Sequence, residues 1–257
     1  SADDSFRRRA YLSGGSAQNG LSGELSQRLF EALLPAAVRE RLHPDHTLII
    51  VPAYRLHGLA FHALLCGGAP LVEMARVLYG QSLEQLDHLL MASPALPHPL
   101  QAGLVLSQAR FGQPGYLSLP YVRQEVEAVL GAARGGQHRA AEGLDLQALA
   151  RGGRVGRLAR YDWLHVATHA YVDPATGPFT GLLLGDGVLD LQDIRRWRLA
   201  ARLVTLSGRQ TGLGRWHYGD EIAGLTQAFL QAGAQSVVAT LWLVRDGHTP
   251  ALMGDFY

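Results

Sequence analysis

Apolar positions recur along the chain with two spacings, and each spacing predicts a different element. From Glu24 to Leu42, leucine and valine recur every three or four residues, which predicts an amphipathic helix. Residues 47–51 form a mostly apolar run of strand length that ends at Pro52. The same alternation continues, so we expect strands near 103–107, 162–168, 202–207 and 236–242, and helices near 121–131, 219–232 and from 248 onward.

Apolar strands that alternate with helices are typical of an α/β protein. Such a chain builds a mostly parallel central sheet covered by helices on both faces. Residues 1–20 include a small, polar Ser/Gly stretch and are expected to form a flexible lead, with one domain over 21–257. The sequence stops inside the last expected helix, so we expect the C-terminal part of the domain to be truncated.

Composition favours a soluble globular protein in the cytoplasm. The 257 residues are 47% hydrophobic with a formal net charge of +1, and no apolar run is long enough for a membrane span. Neither a membrane nor a nucleic-acid partner is therefore expected. One cysteine, Cys66, excludes an internal disulfide and a Cys-rich zinc cluster. All 23 basic residues are arginine, which excludes a P-loop lysine and Schiff-base chemistry.

Three candidate site residues follow the ends of predicted strands. His169 ends the run that begins at Trp163, Arg209 ends the run that begins at Leu203, and Asp246 follows the apolar stretch from 236 to 244. In parallel sheets, loops and helix N-termini converge outside the carboxyl ends of the strands. The three residues are therefore expected around one crevice.

Several short motifs occur in one order and spacing. The sequence runs LIIVP…LHGLAF over 48–61, GLLL at 181–184, the loop 206–214, GDEIAGL at 219–225 and AFLQAGA at 228–234. Together they resemble the CHAT family of caspase-like (clan CD) cysteine peptidases, over roughly residues 21–257. The resemblance implies a caspase-like α/β/α sandwich with a His-Cys dyad and no cofactor.

The resemblance places His169 on the family's histidine. The family's loop reads Ser-Ala-Cys-Glu-Thr-Gly, and here it is Ser207 to Gly212, so Arg209 stands on the cysteine and Gln210 on the acidic residue. A guanidinium stays protonated and has no lone pair for attack on a carbonyl. We therefore expect no peptidase activity by this route, and we expect Gly208, Gln210 and Asp246 to contribute to peptide binding.

Other readings of these residues stay open but are less favoured. Ser207 or Cys66 could replace the nucleophile, although a strand-ending serine and a small buried thiol are the simpler interpretations. His165 and His169 are four apart, but in a strand and without a third ligand they do not predict a metal site. The glycines at 212 and 214 and the arginines between 151 and 160 are weak signals for nucleotide and nucleic acid.

Two functions follow from the resemblance. The favoured one is a catalytically inactive CHAT domain that binds a protein or peptide within a larger bacterial signalling or defence assembly, with a tetratricopeptide-type or other partner region outside this chain. The alternative is a cysteine endopeptidase whose cysteine is replaced at 209 in this copy. Asp246 would then favour a basic P1 residue, and an Arg209–Asp246 pair would fill the pocket from within.

Overall fold

The computed structural model of the protein describes residues 23–84, 86–87, 100–112, 116–133, 136–142, 148, 152–153, 155–171, 181–185, 187–209, 218–240 and 246–257. The expected flexible lead, residues 1–20, lies outside these ranges. The chain divides into two compact units, residues 1–92 and 93–257.

The first unit packs short helices against small sheets. Its elements are α1 (Gly23–Leu33), α2 (Ala36–Arg39), β1 (Thr47–Ile50), 3-10 turns at Tyr54–Gly58 and Phe61–Ala63, β2 (Leu65–Cys66), β3 (Ala69–Pro70), α3 (Leu71–Met74) and β4 (Arg76–Tyr79). β1 pairs in parallel with β4, and β2 pairs with β3 in the antiparallel sense. The buried core consists of Phe30, Leu34, Phe61, Leu64 and Leu71.

The single helix expected over 24–42 is wrong in its length. α1 ends at Leu33, and α2 begins at Ala36 after Pro35. Proline lacks an N–H and disfavours helical backbone at the residue before it, so the helix stops before Leu34 and restarts after the proline. The apolar spacing continues across this break, and for that reason periodicity alone did not reveal it.

The second unit contains a seven-stranded sheet. Its elements are β5 (Ala102–Ser107), α4 (Val122–Ala132), β6 (Gln137–Glu142), β7 (Trp163–Tyr171), β8 (Gly181–Leu183), β9 (Val188–Asp190), α5 (Leu191–Arg195), β10 (Leu203–Arg209), α6 (Tyr218–Gln231), β11 (Val237–Ala239), a 3-10 turn at Asp246–His248 and α7 (Thr249–Phe256). The order β11-β10-β7-β5-β6 is parallel throughout, and β8 and β9 extend β7 as an antiparallel hairpin.

Both faces of this sheet are covered. On one face, Leu164 of β7 belongs to the same buried cluster as Phe229 of α6. On the other face, Trp163 packs in a cluster with Val129 of α4 and Met253 of α7. The mostly parallel sheet between helices confirms the predicted fold class, and it is consistent with a caspase-like α/β/α sandwich. No helix within the described ranges is long and apolar enough to cross a membrane.

Three strands of the sheet carry no clear sequence signal. β6 reads Gln-His-Arg-Ala-Ala-Glu, a polar sequence that suits an edge strand with mostly exposed side chains. β8 and β9 have three residues each, too few for a pattern of alternation.

Of the strand expected over 236–242, Val237–Ala239 is observed, and residues 241–245 lie outside the described ranges.

We predict that Gly103 is required for the packing of Trp163. The two residues are opposite each other in β5 and β7, and a Cβ on Gly103 would lie 2.0 Å from the indole ring. Gly103→Ala should therefore lower the free energy of unfolding by about 1–3 kcal/mol, measured by urea denaturation. The control is Gly131→Ala in helix α4, where the new methyl group has no neighbouring atom within 4 Å. Because alanine favours a helix more than glycine does, the free energy of unfolding of this variant should rise slightly. Equal stability of the two variants would contradict this packing constraint.

Candidate functional site

Strands β7 and β10 bring two of the expected positions together. They are paired in parallel from Leu203 opposite Trp163 to Arg209 opposite His169. The last pair lies at the carboxyl ends of both strands, where the loops of a parallel sheet converge. The backbone of position 209 is therefore adjacent to His169, while the Arg209 side chain lies outside the described part of the structure.

A backbone carbonyl orients the imidazole of His169. The side chain is fully buried, and its Nε2 lies 2.7 Å from the carbonyl oxygen of Leu117. A carbonyl oxygen can only accept a hydrogen bond, so Nε2 carries a proton. In the neutral imidazole, the lone pair is then on Nδ1. The Leu117 carbonyl thereby fixes the tautomer of the neutral His169 ring.

Aromatic side chains surround the same imidazole. The ring centroids of Phe111 and Tyr116 lie 4.6 and 5.6 Å from that of His169, and Tyr116 stacks on Tyr171 at 6.1 Å. These separations are within the usual range for ring contacts. The aromatic neighbours limit the orientations that the His169 ring can adopt and keep water from it.

The segment that supplies these neighbours follows β5 and is anchored at its base. The backbone N–H of Gln108 donates to the carbonyl of Ala167 at 3.0 Å, and the Gln108 side chain donates to the carbonyl of Arg110. The N–H of Leu119 donates to the carbonyl of Ala109 at 2.9 Å. The two ends of the segment are therefore held close together beside β7, and residues 113–115 within it lie outside the described ranges.

Hydrogen bonds also hold the strand ends around Gly208. Thr240, which follows β11, donates from Oγ1 to the Gly208 carbonyl at 3.3 Å, and Thr168 donates from Oγ1 to the carbonyl of Leu183 in β8. A Cβ at position 208 would lie 3.1 Å from the carbonyl oxygen of Thr168. A side chain at 208 would therefore press on the strand that carries His169.

Comparison with known families identifies the family of this chain. A sequence model of the CHAT domain matches residues 23–257, which is most of the chain. The chain belongs to the CHAT domain family. CHAT domains are a caspase-like family, which agrees with the sandwich described above.

Other comparisons add no functional information. No curated protein sequence matches the chain significantly. Among solved structures, the chain is similar to a flavodoxin from Streptococcus pneumoniae TIGR4, with 13% identity, a TM-score of 0.36 and coverage of 60% of this chain and 94% of the flavodoxin. A two-electron reduced flavodoxin from Megasphaera elsdenii gives 13% identity, a TM-score of 0.29 and coverage of 60% and 96%. Likenesses this weak support no conclusion about the CHAT domain.

The remaining expected binding residues of the CHAT domain stay predictions. Gln210 lies outside the described residues, as do the loop glycines 212 and 214. Asp246 begins the 3-10 turn Asp246–His248, and its side chain lies outside the described part. Gly208 is described, but its part in peptide binding rests on the family resemblance alone.

The less favoured candidates have ordinary structural surroundings. Ser207 is buried in β10 opposite Ala167, and Cys66 is half-buried in β2 of the first unit. His165 is a buried, hydrogen-bonded core histidine, with Nε2 2.9 Å from a carboxylate oxygen of Glu125. Within the described residues, no three His, Cys, Asp or Glu side chains come together as a metal site.

Sequence reasoning missed the residues that hold His169. Phe111, Tyr116 and Leu117 lie in the segment after β5, at the same sheet edge as the expected site, and the carboxyl-end rule gave a reason to search there. Phe111 and Tyr116 are aromatic residues in a largely polar segment, and this pattern indicates side chains that pack against a neighbouring element. Leu117 acts through its carbonyl group, which every residue possesses, so no sequence pattern points to it.

We predict that Phe111→Ala makes His169 accessible while Leu117→Ala does not. Loss of the Phe111 ring uncovers the imidazole, so its carbethoxylation by diethyl pyrocarbonate should accelerate by about tenfold or more, as expected when a buried group is exposed locally. Leu117 is 70% exposed, and Leu117→Ala keeps the carbonyl that accepts the hydrogen bond from Nε2. Mass spectrometry of the peptide containing His169 measures both rates. Unchanged reactivity in the Phe111 variant would show that other groups cover His169.

Proposed function

We propose that this CHAT domain is a catalytically inactive protein- or peptide-binding module whose site is the crevice beside His169. The observation that carries the proposal is the pairing of Arg209 with His169 at the carboxyl ends of β10 and β7. The residue next to the histidine base is thus an arginine, while the family resemblance expects a cysteine.

Arginine removes the chemistry that this arrangement would otherwise support. A thiol at 209 would transfer its proton to Nδ1 of His169, and the thiolate would form a C–S bond to the peptide carbonyl carbon. The C–N bond would then break as the imidazolium returned its proton to the leaving amine, and water would hydrolyse the thioester. Arg209 supplies no electron pair for the first of these steps.

The aromatic side chains around His169 favour a site that binds a peptide without cleaving it. Tyr116 and Tyr171 stack on each other and are partly exposed at the edge of the site. Tyrosine provides a large, rigid contact area with a hydrogen-bonding hydroxyl, and it is enriched at the energetic centres of protein interfaces. These rings do not depend on the residue at 209, so loss of the nucleophile leaves this contact surface unaltered.

The alternative is a cysteine endopeptidase whose nucleophilic cysteine is replaced in this copy. It is favoured by the orientation of His169, which presents Nδ1 as the basic atom although no thiol is present at 209. In this reading, Asp246 selects a basic P1 side chain, and Arg209 pairs with Asp246 to fill the pocket. Arg209→Ala should then change the affinity for basic peptides.

The proposed setting is the bacterial cytoplasm, in an assembly for signalling or defence. A tetratricopeptide-type or other partner region outside this chain would supply or receive the bound segment. The family resemblance supports this setting, and a sequence with one cysteine is compatible with a reducing compartment.

The test compares the unmodified domain with Arg209→Cys and with Arg209→Cys/His169→Ala. Each is incubated with a pooled synthetic peptide library, and mass spectrometry identifies both the retained and the cleaved peptides. We expect the unmodified domain to enrich a defined sequence class without cleaving it. Any cleavage by Arg209→Cys should fall by about 10²–10⁴-fold when His169 is removed, because a positioned base contributes an acceleration of this size.

The outcomes separate the two functions. Enrichment by the unmodified domain supports the binding module, whether or not Arg209→Cys cleaves. Cleavage by Arg209→Cys without any enrichment by the unmodified domain favours the disarmed peptidase. If a folded unmodified domain enriches no peptide and Arg209→Cys cleaves none, the proposal of a peptide-binding crevice is overturned.

A further inference from the structure

Four polar side chains form a hydrogen-bonded network inside the second unit. Glu125 of α4 lies with Oε1 2.9 Å from Nε2 of His165 in β7. The hydroxyl of Tyr257, just after α7, lies 3.3 Å from Nδ1 of His165 and donates to Oγ1 of Thr205 in β10 at 2.7 Å. Glu125 is 3% exposed, and His165 and Thr205 are fully buried. We call these four residues the buried polar network.

The network connects two helices to the strand pair that carries the site. Burial raises the pKa of Tyr257, so its hydroxyl keeps its proton and can donate. The hydroxyl bridges His165 and Thr205, which are opposite each other in the β7–β10 ladder. Four residues further along both strands, His169 and Arg209 are opposite each other in the same way.

The apolar pattern of these strands does not by itself specify their register. A slip of β10 by one residue would exchange the faces of the polar Thr205 and Ser207 and the apolar Val204 and Leu206, which is unfavourable. A slip by two residues keeps each side chain on its own face of the sheet, so burial alone does not exclude it. That slip would place residue 209 opposite Ala167 or Tyr171 instead of His169.

The buried polar network distinguishes these registers. After a two-residue slip, Thr205 would lie opposite Trp163 or Ala167, and Tyr257 could no longer bridge it to His165. Polar groups would then be buried without partners, which is strongly unfavourable. Stability alone does not explain the network, because well-packed apolar residues can often replace a pair of buried polar or charged side chains without loss of stability.

We infer that the buried polar network locks the register of β7 against β10 and so positions His169 beside residue 209. Glu125, His165, Thr205 and Tyr257 are in this sense positioning residues, which act through the strands and do not touch a ligand. The inference concerns the geometry of the site and holds whether the crevice binds or cleaves a peptide.

The decisive variant is Tyr257→Phe, which removes only the bridging hydroxyl. Its control is Tyr161→Phe, because Tyr161 is a buried tyrosine whose hydroxyl accepts a hydrogen bond from Arg160, outside the network. Tyr257→Phe loses two hydrogen bonds and Tyr161→Phe loses one, so their melting temperatures should fall by roughly 4–8 °C and 2–4 °C. If the buried polar network positions the site, only Tyr257→Phe should change the surroundings of His169.

The site is monitored by two measurements that need no peptide. The imidazole nitrogen resonances of His169, assigned by comparison with His169→Gln, report the proton on Nε2 that the Leu117 carbonyl holds. Amide hydrogen exchange reports the ladder at 206–209. In Tyr257→Phe, the Nε2–H resonance should broaden, and exchange at 206–209 should accelerate by about tenfold or more. In Tyr161→Phe, neither should change.

A double substitution separates register from stability. Glu125→Leu or His165→Leu alone leaves an unpaired buried group and should lower the melting temperature by roughly 10 °C. The double variant Glu125→Leu/His165→Leu should recover most of that fall in melting temperature, because neither group is left unpaired. The Nε2–H resonance of His169 should nevertheless broaden or disappear, because the network is absent. If folded Tyr257→Phe keeps the His169 resonance and the exchange rates of the unmodified protein, the network is only structural and the inference is overturned.

Discussion

The parallel ladder between β7 and β10 is the contact on which the rest of the second unit depends. Its seven residue pairs run from the buried start of both strands to the sheet edge, where Arg209 is opposite His169. Backbone hydrogen bonds hold this pairing, so the relative position of the two residues does not require their side chains to touch. The helices on both faces, the hairpin β8–β9 and the segment after β5 all pack on this frame.

Much of this frame is readable from the distribution of apolar residues. β5, β7 and β10 are long and buried, and α4, α6 and α7 alternate with them, so periodicity located them within a few residues. Periodicity failed where the local chemistry of the backbone decides the structure, as at Pro35, and where a strand has little to bury, as in β6. Short strands such as β8 depend on their neighbours, since they cannot form alone.

The candidate site, like the fold, could be predicted from the sequence only in part. His169 and position 209 were expected to be neighbours because each ends an apolar run and because the surrounding motifs resemble one family, and the β7–β10 pairing places them opposite each other. The partners of His169 were not found, because Phe111 and Leu117 approach it from more than fifty residues away and one of them uses only its backbone. Glu125 lies within the helix expected near 121–131, but nothing in the local sequence shows that its side chain is buried against His165.

The carbonyl that orients His169 has a consequence for how such a domain can change over evolutionary time. Substitution at 117 does not remove a carbonyl, and substitution at 209 does not alter the hydrogen bond at Nε2. The orientation of the imidazole and the identity of residue 209 can therefore change independently. Position 209 is free to vary during evolution while His169 keeps its tautomer and its place in the sheet.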